Sequence, residues 1–230
     1  MRDIAEPQLL GQEVRRTTGK VGGAVKPRLR GWLHAAMIPL TVVLGAVLLV
    51  ATPGAAGRTA VAAYCLSALL LFTVSATYHT QTWSEPVRVL LRRLDHANIF
   101  VLIAGSYTPY AVLVLPPDSA RALLAVVWTG AVAGVAFRVL WVTAPRWFYV
   151  PIYIGLGWAA VFWAGEFAAG ASAAALTLMV LGGVLYTLGA LVYGMKRPDP
   201  APAWFGFHEI FHTFTIAAFL VHYAGIWLVL

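Results

Sequence analysis

The sequence has few charged residues and almost no cysteine, and both shortages restrict what the protein can be. Asp, Glu, Lys and Arg make up only 11% of the 230 residues, whereas a soluble domain carries about 25%. The single cysteine, Cys65, lies in an apolar segment, so one chain can form neither a disulfide framework nor a thiolate metal cluster. Because 60% of the residues are hydrophobic, the composition indicates a polytopic membrane protein.

The net charge of +7 does not indicate a nucleic-acid partner. The basic residues lie in the predicted loops and the N-terminal segment rather than on one soluble face. Residues 1–30 are polar and basic and lack the apolar core of a secretory signal peptide. We therefore expect residues 1–30 to form a flexible cytoplasmic tail and residues 31–230 to form the membrane domain.

The chain contains seven apolar stretches of the length that crosses a bilayer, about 20 residues each. They are His34–Ala51, Thr59–His79, Asp95–Leu115, Arg121–Val142, Trp147–Glu166, Ser172–Met195 and Phe207–Leu230. Short turn signals rich in proline separate them, so sequential spans should be spatial neighbours. The predicted fold is an all-α bundle of seven transmembrane helices.

The distribution of Lys and Arg predicts the orientation of this bundle. With seven spans, the N-terminal segment shares one side with the second, fourth and sixth connections, and 14 of the 16 Lys and Arg residues fall there. Loops rich in Lys and Arg stay in the cytoplasm. The N-terminus should therefore be cytoplasmic and the C-terminus outside.

The second connection carries a short helical signal of its own. Ser84 can cap a helix that starts near Pro86. Apolar Val87 and Leu90 alternate there with Arg88 and Arg92 in the manner of a helix lying in the membrane interface. We predict a separate interfacial helix before the third span.

Polar residues gather at the cytoplasmic ends of three different spans. His208 and His212 open the last span and are four residues apart, so they share one helical face. Ser75 and His79 have the same spacing at the end of the second span, and Asp95 opens the third. Polar groups are rare inside apolar helices because an unpaired one is costly in hydrocarbon. Topology alone therefore brings these residues to one depth.

Three imidazoles with a water or a carboxylate form a typical zinc shell. Nitrogen ligands and the lack of cysteine favour zinc over calcium or magnesium. We interpret His79, His208 and His212 as Zn²⁺ ligands, with Asp95 offsetting the charge. Asp95 could instead pair with Arg92 or Arg93, and each histidine alone could be a hydrogen-bonding residue of the bundle.

The other histidines are weaker candidates for ligands. His96 points about 100° away from Asp95 on a helix, and His34 could lie at the interface. His222 lies about 21 Å beyond His208 along the helix axis and should not reach the same ion. Ser75 is interpreted first as a helix-packing serine.

The segment from His208 to His212 also matches the His-Glu-x-x-His pattern of zinc proteases. The motif opens a membrane span, and a third ligand is available from the second span. Glu209 lies off the face that His208 and His212 share. A site of the soluble protease type is therefore not expected.

Five segments resemble the haemolysin III family, which is related to the progestin and adipoQ (adiponectin) receptors. They are Arg30–His34, Ser75–His79, Leu94–Phe100, Ile103–Tyr110 and His208–His212. The resemblance implies seven spans and a zinc ion near the cytoplasmic face. It also implies that His79, His208 and His212 hold the zinc, with Ser75 and Asp95 near the metal water.

The family is similar to alkaline ceramidases in its Ser, Asp and His pattern. The resemblance therefore implies a zinc-dependent intramembrane hydrolase, with Asp95 and Ser75 as catalytic residues and a lipid amide or ester as substrate. A second hypothesis is a membrane-homeostasis or sensor protein with a structural zinc. A third is a haemolysin-like cytolytic protein, although the spans lack the polar stripe of a pore. A cavity that joins the metal to the lipid phase would favour the enzyme.

The charge distribution gives a direct test of orientation. We expect an alkaline phosphatase fused after Leu230 to be active outside the cell, because the basic loops hold the opposite side in the cytoplasm. The control is the same fusion placed in the loop after the sixth span, which should be inactive. An active fusion in that loop would contradict the predicted topology.

Overall fold

The computed structural model describes residues 27–230, and within that range the chain is all-α. An isolated backbone bridge between Ala201 and Phe205 is the one extended pairing among those residues. The helices are α1 (Trp32–Ala51), α2 (Ala55–Thr80), α3 (Glu85–Val114), α4 (Pro117–Leu140), α5 (Arg146–Gly157), α6 (Ala164–Gly170), α7 (Ala173–Met195) and α8 (Phe207–Trp227). The first 26 residues of the predicted tail lie outside the described residues.

Seven segments are long and apolar enough to cross a membrane, which confirms the predicted seven-helix bundle. Six of them are single helices, and the fifth, Arg146–Gly170, combines α5, a short 3₁₀ helix and α6. Some boundaries differ from the sequence prediction by several residues. For example, α4 begins at Pro117 rather than Arg121, because proline is well accommodated in the first turn of a helix.

The predicted separate interfacial helix is wrong. Instead, α3 runs without interruption for 30 residues from Glu85 to Val114. The stretch from Val87 to Ala104 contains neither glycine nor proline, so nothing breaks the helix where the span was expected to begin. Ser84 does occupy the N-cap position, but its side chain makes no capping hydrogen bond.

The fifth span is broken in its middle, and α3 satisfies the backbone groups that the break releases. The α-helical part ends at Gly157, and a 3₁₀ helix follows over Ala159–Trp163. The hydroxyl of Tyr107 donates to the Gly157 carbonyl at 2.5 Å and accepts from the Ala160 N–H at 3.3 Å. Irregular backbone survives at membrane depth only where the protein supplies such partners.

The most extensive contacts join helices that are neighbours in sequence, as predicted: α1 with α2, α2 with α3, α3 with α4, and α7 with α8. In the fifth span, α5 packs on α7, and α1 contacts α8 to close the bundle. Tyrosine hydroxyls bind helices together through backbone carbonyls. Tyr64 of α2 donates to the Phe219 carbonyl of α8 at 2.6 Å, and Tyr153 of α5 donates to the His96 carbonyl of α3 at 3.0 Å. These contacts tie α2 to α8 and α5 to α3.

One end of the bundle carries the loops 81–84, 141–145 and 196–206, and we call it the basic end. Here α2 ends and α3 and α8 begin. The polar residues singled out in the sequence lie on these three helices, so the fold brings them to one end of the molecule.

Candidate metal centre

Three buried histidines meet at the basic end of the bundle. His79 lies in the last turn of α2, and His208 and His212 lie in the first turns of α8. One ligand atom from each lies within 4.8 Å of the other two. Because all three side chains are buried, this group could hold a metal ion.

The closest contact in the group joins two nitrogens of the same kind. The Nε2 atoms of His79 and His208 are 3.1 Å apart, with the rings nearly edge to face. Neutral imidazole carries one N–H in total, so two facing nitrogens can share a single proton or bind one cation. These two nitrogens are therefore close enough to bind one cation.

Asp95 supplies a carboxylate next to this pair. Its Oδ2 lies 3.6 Å from Nε2 of His79, and the side chain is largely buried. The sequence also allowed Asp95 to pair with Arg92 or Arg93, but no such ion pair occurs within residues 27–230. The carboxylate faces the histidines instead, where its negative charge would offset that of a cation.

Glu209, inside the His-Glu-x-x-His segment, has a structural role in this geometry. Its side chain is fully buried, and its Oε1 accepts from Nε of Arg30 at 2.6 Å. Its Oε2 accepts from the backbone N–H of Gly206 at 2.8 Å, which caps α8. The carboxylate is thus committed to fixing the start of α8, and with it His208 and His212, against the segment before α1.

The same segment before α1 also packs directly on His79. Gly31 adopts a left-handed conformation with φ of 86°, in which glycine alone is free of strain. A Cβ placed at Gly31 would lie 2.7 Å from the Cβ of His79 and 3.0 Å from Cγ2 of Thr80. Only glycine allows the chain to approach the end of α2 this closely.

His34 joins the site, whereas the sequence also allowed it a position at the interface. Its ring stacks on that of His212, with 3.8 Å between the centroids. It is buried, and neither ring nitrogen has a hydrogen-bond partner. The sequence could have indicated this position, because the first span begins at the basic end, where the other histidines of the site also lie.

Ser75 lies one turn before His79 on α2, as the spacing predicts. Its side chain is buried, and its Oγ has no hydrogen-bond partner. A serine inside a membrane helix usually donates to the carbonyl four residues earlier, as Ser106 does to Leu102 in α3. The free hydroxyl of Ser75 is therefore available to another group.

Two other histidines lie outside the group. His96 makes hydrogen bonds to the Arg92 carbonyl at 2.7 Å and to the hydroxyl of Tyr193 at 2.9 Å. His222 bonds to the carbonyl of Met179 on α7 at 3.0 Å. Both were predicted to be poor ligands, and both have other partners.

A cavity of about 340 Å³ begins at His212 of the histidine cluster and continues between α3, α7, α8 and the fifth span. Ser75, Asp95 and His212 line its polar end, and most of the remaining wall is apolar. Val161 and Val180 also line it, and these residues are 59% and 48% exposed. The cavity therefore connects the histidine cluster with the surface that faces lipid.

These features define a seven-helix integral membrane protein with a buried three-histidine centre beside a lipid-accessible cavity. The sequence profile of the Haemolysin-III related family matches residues 23–223. The chain therefore belongs to this family, as the five sequence segments predicted.

Individual relatives agree with this assignment. The chain is 31% identical over 151 residues to the Hemolysin-3 homolog of Bacillus subtilis, covering 66% of this chain and 68% of that protein. It is 28% identical over 191 residues to the adiponectin receptor protein of Drosophila melanogaster, covering 71% of this chain and 41% of that protein. The chain thus spans less than half of the length of that receptor.

The close approach at Gly31 predicts a destabilising substitution. We expect Gly31→Ala to lower the unfolding temperature in detergent by several degrees, because left-handed strain alone costs about 1–2 kcal/mol and the new methyl group meets His79. Gly155→Ala is the control, since a Cβ at Gly155 meets no atom within 4 Å. Equal unfolding temperatures for the two variants would show that neither the left-handed conformation nor the close packing at Gly31 requires glycine.

Proposed function

We propose that the protein is a zinc-dependent hydrolase of lipid amides or esters that acts within the membrane. The observation that carries this proposal is the cavity, which leads from the three histidines to the lipid-facing surface at Val161 and Val180. A metal that only linked helices together would need no such access.

The donor set suits zinc among the common divalent ions. Three imidazole nitrogens, with the chain's one cysteine buried elsewhere in α2, match the ligands that zinc takes in catalytic sites and leave a position open. When bound, zinc supplies a Lewis acid for a carbonyl oxygen and makes hydroxide available near neutral pH. We infer that His79, His208 and His212 hold it.

Asp95 is the candidate proton carrier. Its carboxylate lines the cavity and lies 3.6 Å from His79. A carboxylate at this position can take a proton from the attacking water and give it to the nitrogen or oxygen that leaves. The carbonyl carbon then gains a C–O bond to the water oxygen and loses its bond to the leaving group.

Ser75 is the candidate for orienting the substrate. Its hydroxyl has no partner within the chain and lies on the cavity wall beside His79. It can donate a hydrogen bond to the carbonyl oxygen of a lipid amide or ester, where negative charge develops during attack. The apolar remainder of the cavity would hold the acyl chain and exclude water.

A structural metal is the second candidate function, because the cluster links helices far apart in the sequence. His79 lies 129 residues before His208, and all three rings are buried. A metal held there would tie α2 to α8. The protein would then serve in membrane homeostasis or sensing, and loss of a ligand would affect stability alone.

Metal content tests the ligand set. We expect purified wild-type protein to carry one zinc ion per chain, and His79→Ala, His208→Ala and His212→Ala each to lose most of it, because each removes one of three ligands. The measurement is elemental analysis of monodisperse protein. His222→Ala is the control and should keep its zinc, since His222 bonds to Met179 instead. An unchanged zinc content in the three variants, or a loss of zinc from the control, would contradict the assignment.

Turnover tests the enzyme. Zinc-loaded protein should release fatty acid from a ceramide-like substrate, and Asp95→Asn should lower the rate about 10²-fold or more, because general acid–base catalysis contributes at least that much. Fatty acid release is measured by mass spectrometry at equal zinc content.

Asp118→Asn is the matched control for this experiment. Asp118 is an exposed carboxylate paired with Arg121 on the first turn of α4, so its loss should leave the rate unchanged. Zinc-loaded protein that is inert across a panel of lipid amides and esters would favour the structural metal. Equal rates for Asp95→Asn and the wild type would remove Asp95 from the mechanism.

A further inference from the structure

The cavity has a second polar end, far from the metal centre. His222 lies ten residues after His212 on α8, about 15 Å further along the helix axis. His222 and Tyr186 of α7 both line the cavity there. Each has a buried polar atom that makes no hydrogen bond of 3.5 Å or less, Nδ1 of His222 and the hydroxyl of Tyr186. The side chain of Ser106 on α3 is the polar neighbour of the Tyr186 hydroxyl. Two such groups in a mostly apolar wall are costly unless something binds them.

The hydrogen bonds of His222 determine what its free nitrogen can do. Its Nε2 lies 3.0 Å from the carbonyl oxygen of Met179. A carbonyl only accepts, so Nε2 carries the hydrogen and Nδ1 of the neutral ring is an acceptor. A donor group on a molecule in the cavity would satisfy this atom.

Contacts with α7 and α3 fix both the ring and the backbone of His222. Gly182 lies against it so closely that a Cβ at this position would overlap the ring. The hydroxyl of Tyr110 donates to the backbone carbonyl of His222 at 3.0 Å, which fixes this part of α8 against α3. The acceptor is thus positioned before any ligand arrives, which lowers the cost of binding.

Tyr186 complements this acceptor. Its ring centroid lies 5.6 Å from that of His222, and a phenol hydroxyl can both donate and accept. An alcohol has the same two capacities, so its O–H can donate to Nδ1 of His222 while its oxygen accepts from Tyr186. A methylene group satisfies neither.

We propose that His222 and Tyr186 form a second binding subsite, which recognises a hydroxyl group on a lipid chain about 15 Å from the metal centre. The cavity then favours a hydroxylated acyl chain over a plain one. The inference rests on the proposed function for placing a lipid in the cavity, but it does not require turnover.

Equilibrium binding to the purified full-length protein tests the subsite. The probes are fatty acids that differ only in the position of one hydroxyl, together with the unsubstituted chain, each competing with a fluorescent fatty acid. We expect one position remote from the carboxyl group to bind about 3- to 10-fold tighter than the plain chain, as one or two net hydrogen bonds allow.

Two variants and a control make the result specific. Tyr186→Phe removes one hydroxyl, whose polar neighbour Ser106 keeps its own hydrogen bond to the Leu102 carbonyl. The variant should therefore fold normally, lose most of the preference and bind the plain chain as before. His222→Leu should also lose the preference. Tyr223→Phe should keep it, because the Tyr223 hydroxyl donates to the Leu44 carbonyl and Tyr223 does not line the cavity.

Equal affinity of the wild type for all the chains would overturn the subsite and leave the two groups bound to water. A preference that survives in Tyr186→Phe and His222→Leu would overturn it as well. Its failure is distinguishable from that of the hydrolase. Protein that prefers the hydroxylated chain but never releases fatty acid supports the subsite alone, whereas protein that hydrolyses without preference supports the enzyme alone.

Discussion

The structure depends on one constraint, that a polar group inside hydrocarbon must find a partner within the protein. Most tyrosine and threonine hydroxyls in the described helices meet it by donating to backbone carbonyls, as Tyr64 does to Phe219 across two helices. The buried polar atoms of any residue type that lack a partner are informative, because several belong to residues that line one cavity. His34, Ser75, Tyr186, His212 and His222 each have an unpartnered buried atom, and all five line the same cavity. The cavity is therefore where the chain keeps hydrogen-bonding capacity for something other than itself.

The same constraint explains why a familiar motif has a different role here. In a zinc protease the glutamate of His-Glu-x-x-His is the general base. Here Glu209 is fully buried and its two oxygens are bound by Arg30 and the Gly206 N–H. The ion pair is well compensated, since each carboxylate oxygen accepts a hydrogen bond. The motif thus orients the start of α8, and the carboxylate next to the histidines comes from Asp95 on α3 instead.

The positions at which the helices end bring the histidine cluster and the cavity together. α2 ends and α8 begins at the basic end, so their terminal turns place His79, His208 and His212 at one depth. Gly31 lets the segment before α1 close over His79. On the other side, the break in the fifth span after Gly157 opens the wall of the bundle beside Val161. A protected histidine cluster with an approach from the lipid phase follows from these two features together.

The seven spans, and the gathering of Ser75, His79, Asp95, His208 and His212 at one end, were predictable from the sequence. A helix has a fixed rise per residue, and successive spans cross the membrane in alternating directions. The position of a residue in the sequence therefore largely determines its depth in the membrane. The spacing of His208 and His212 also determined that they share a face. The tertiary structure decided the rest: that His34 stacks on His212, that Asp95 faces His79 rather than an arginine, that α3 has no separate interfacial segment, and that a cavity links the centre to His222. Lipid chains are as apolar as leucine, so hydrophobicity does not determine the rotation and tilt of each helix, and only the packing of the helices against one another does.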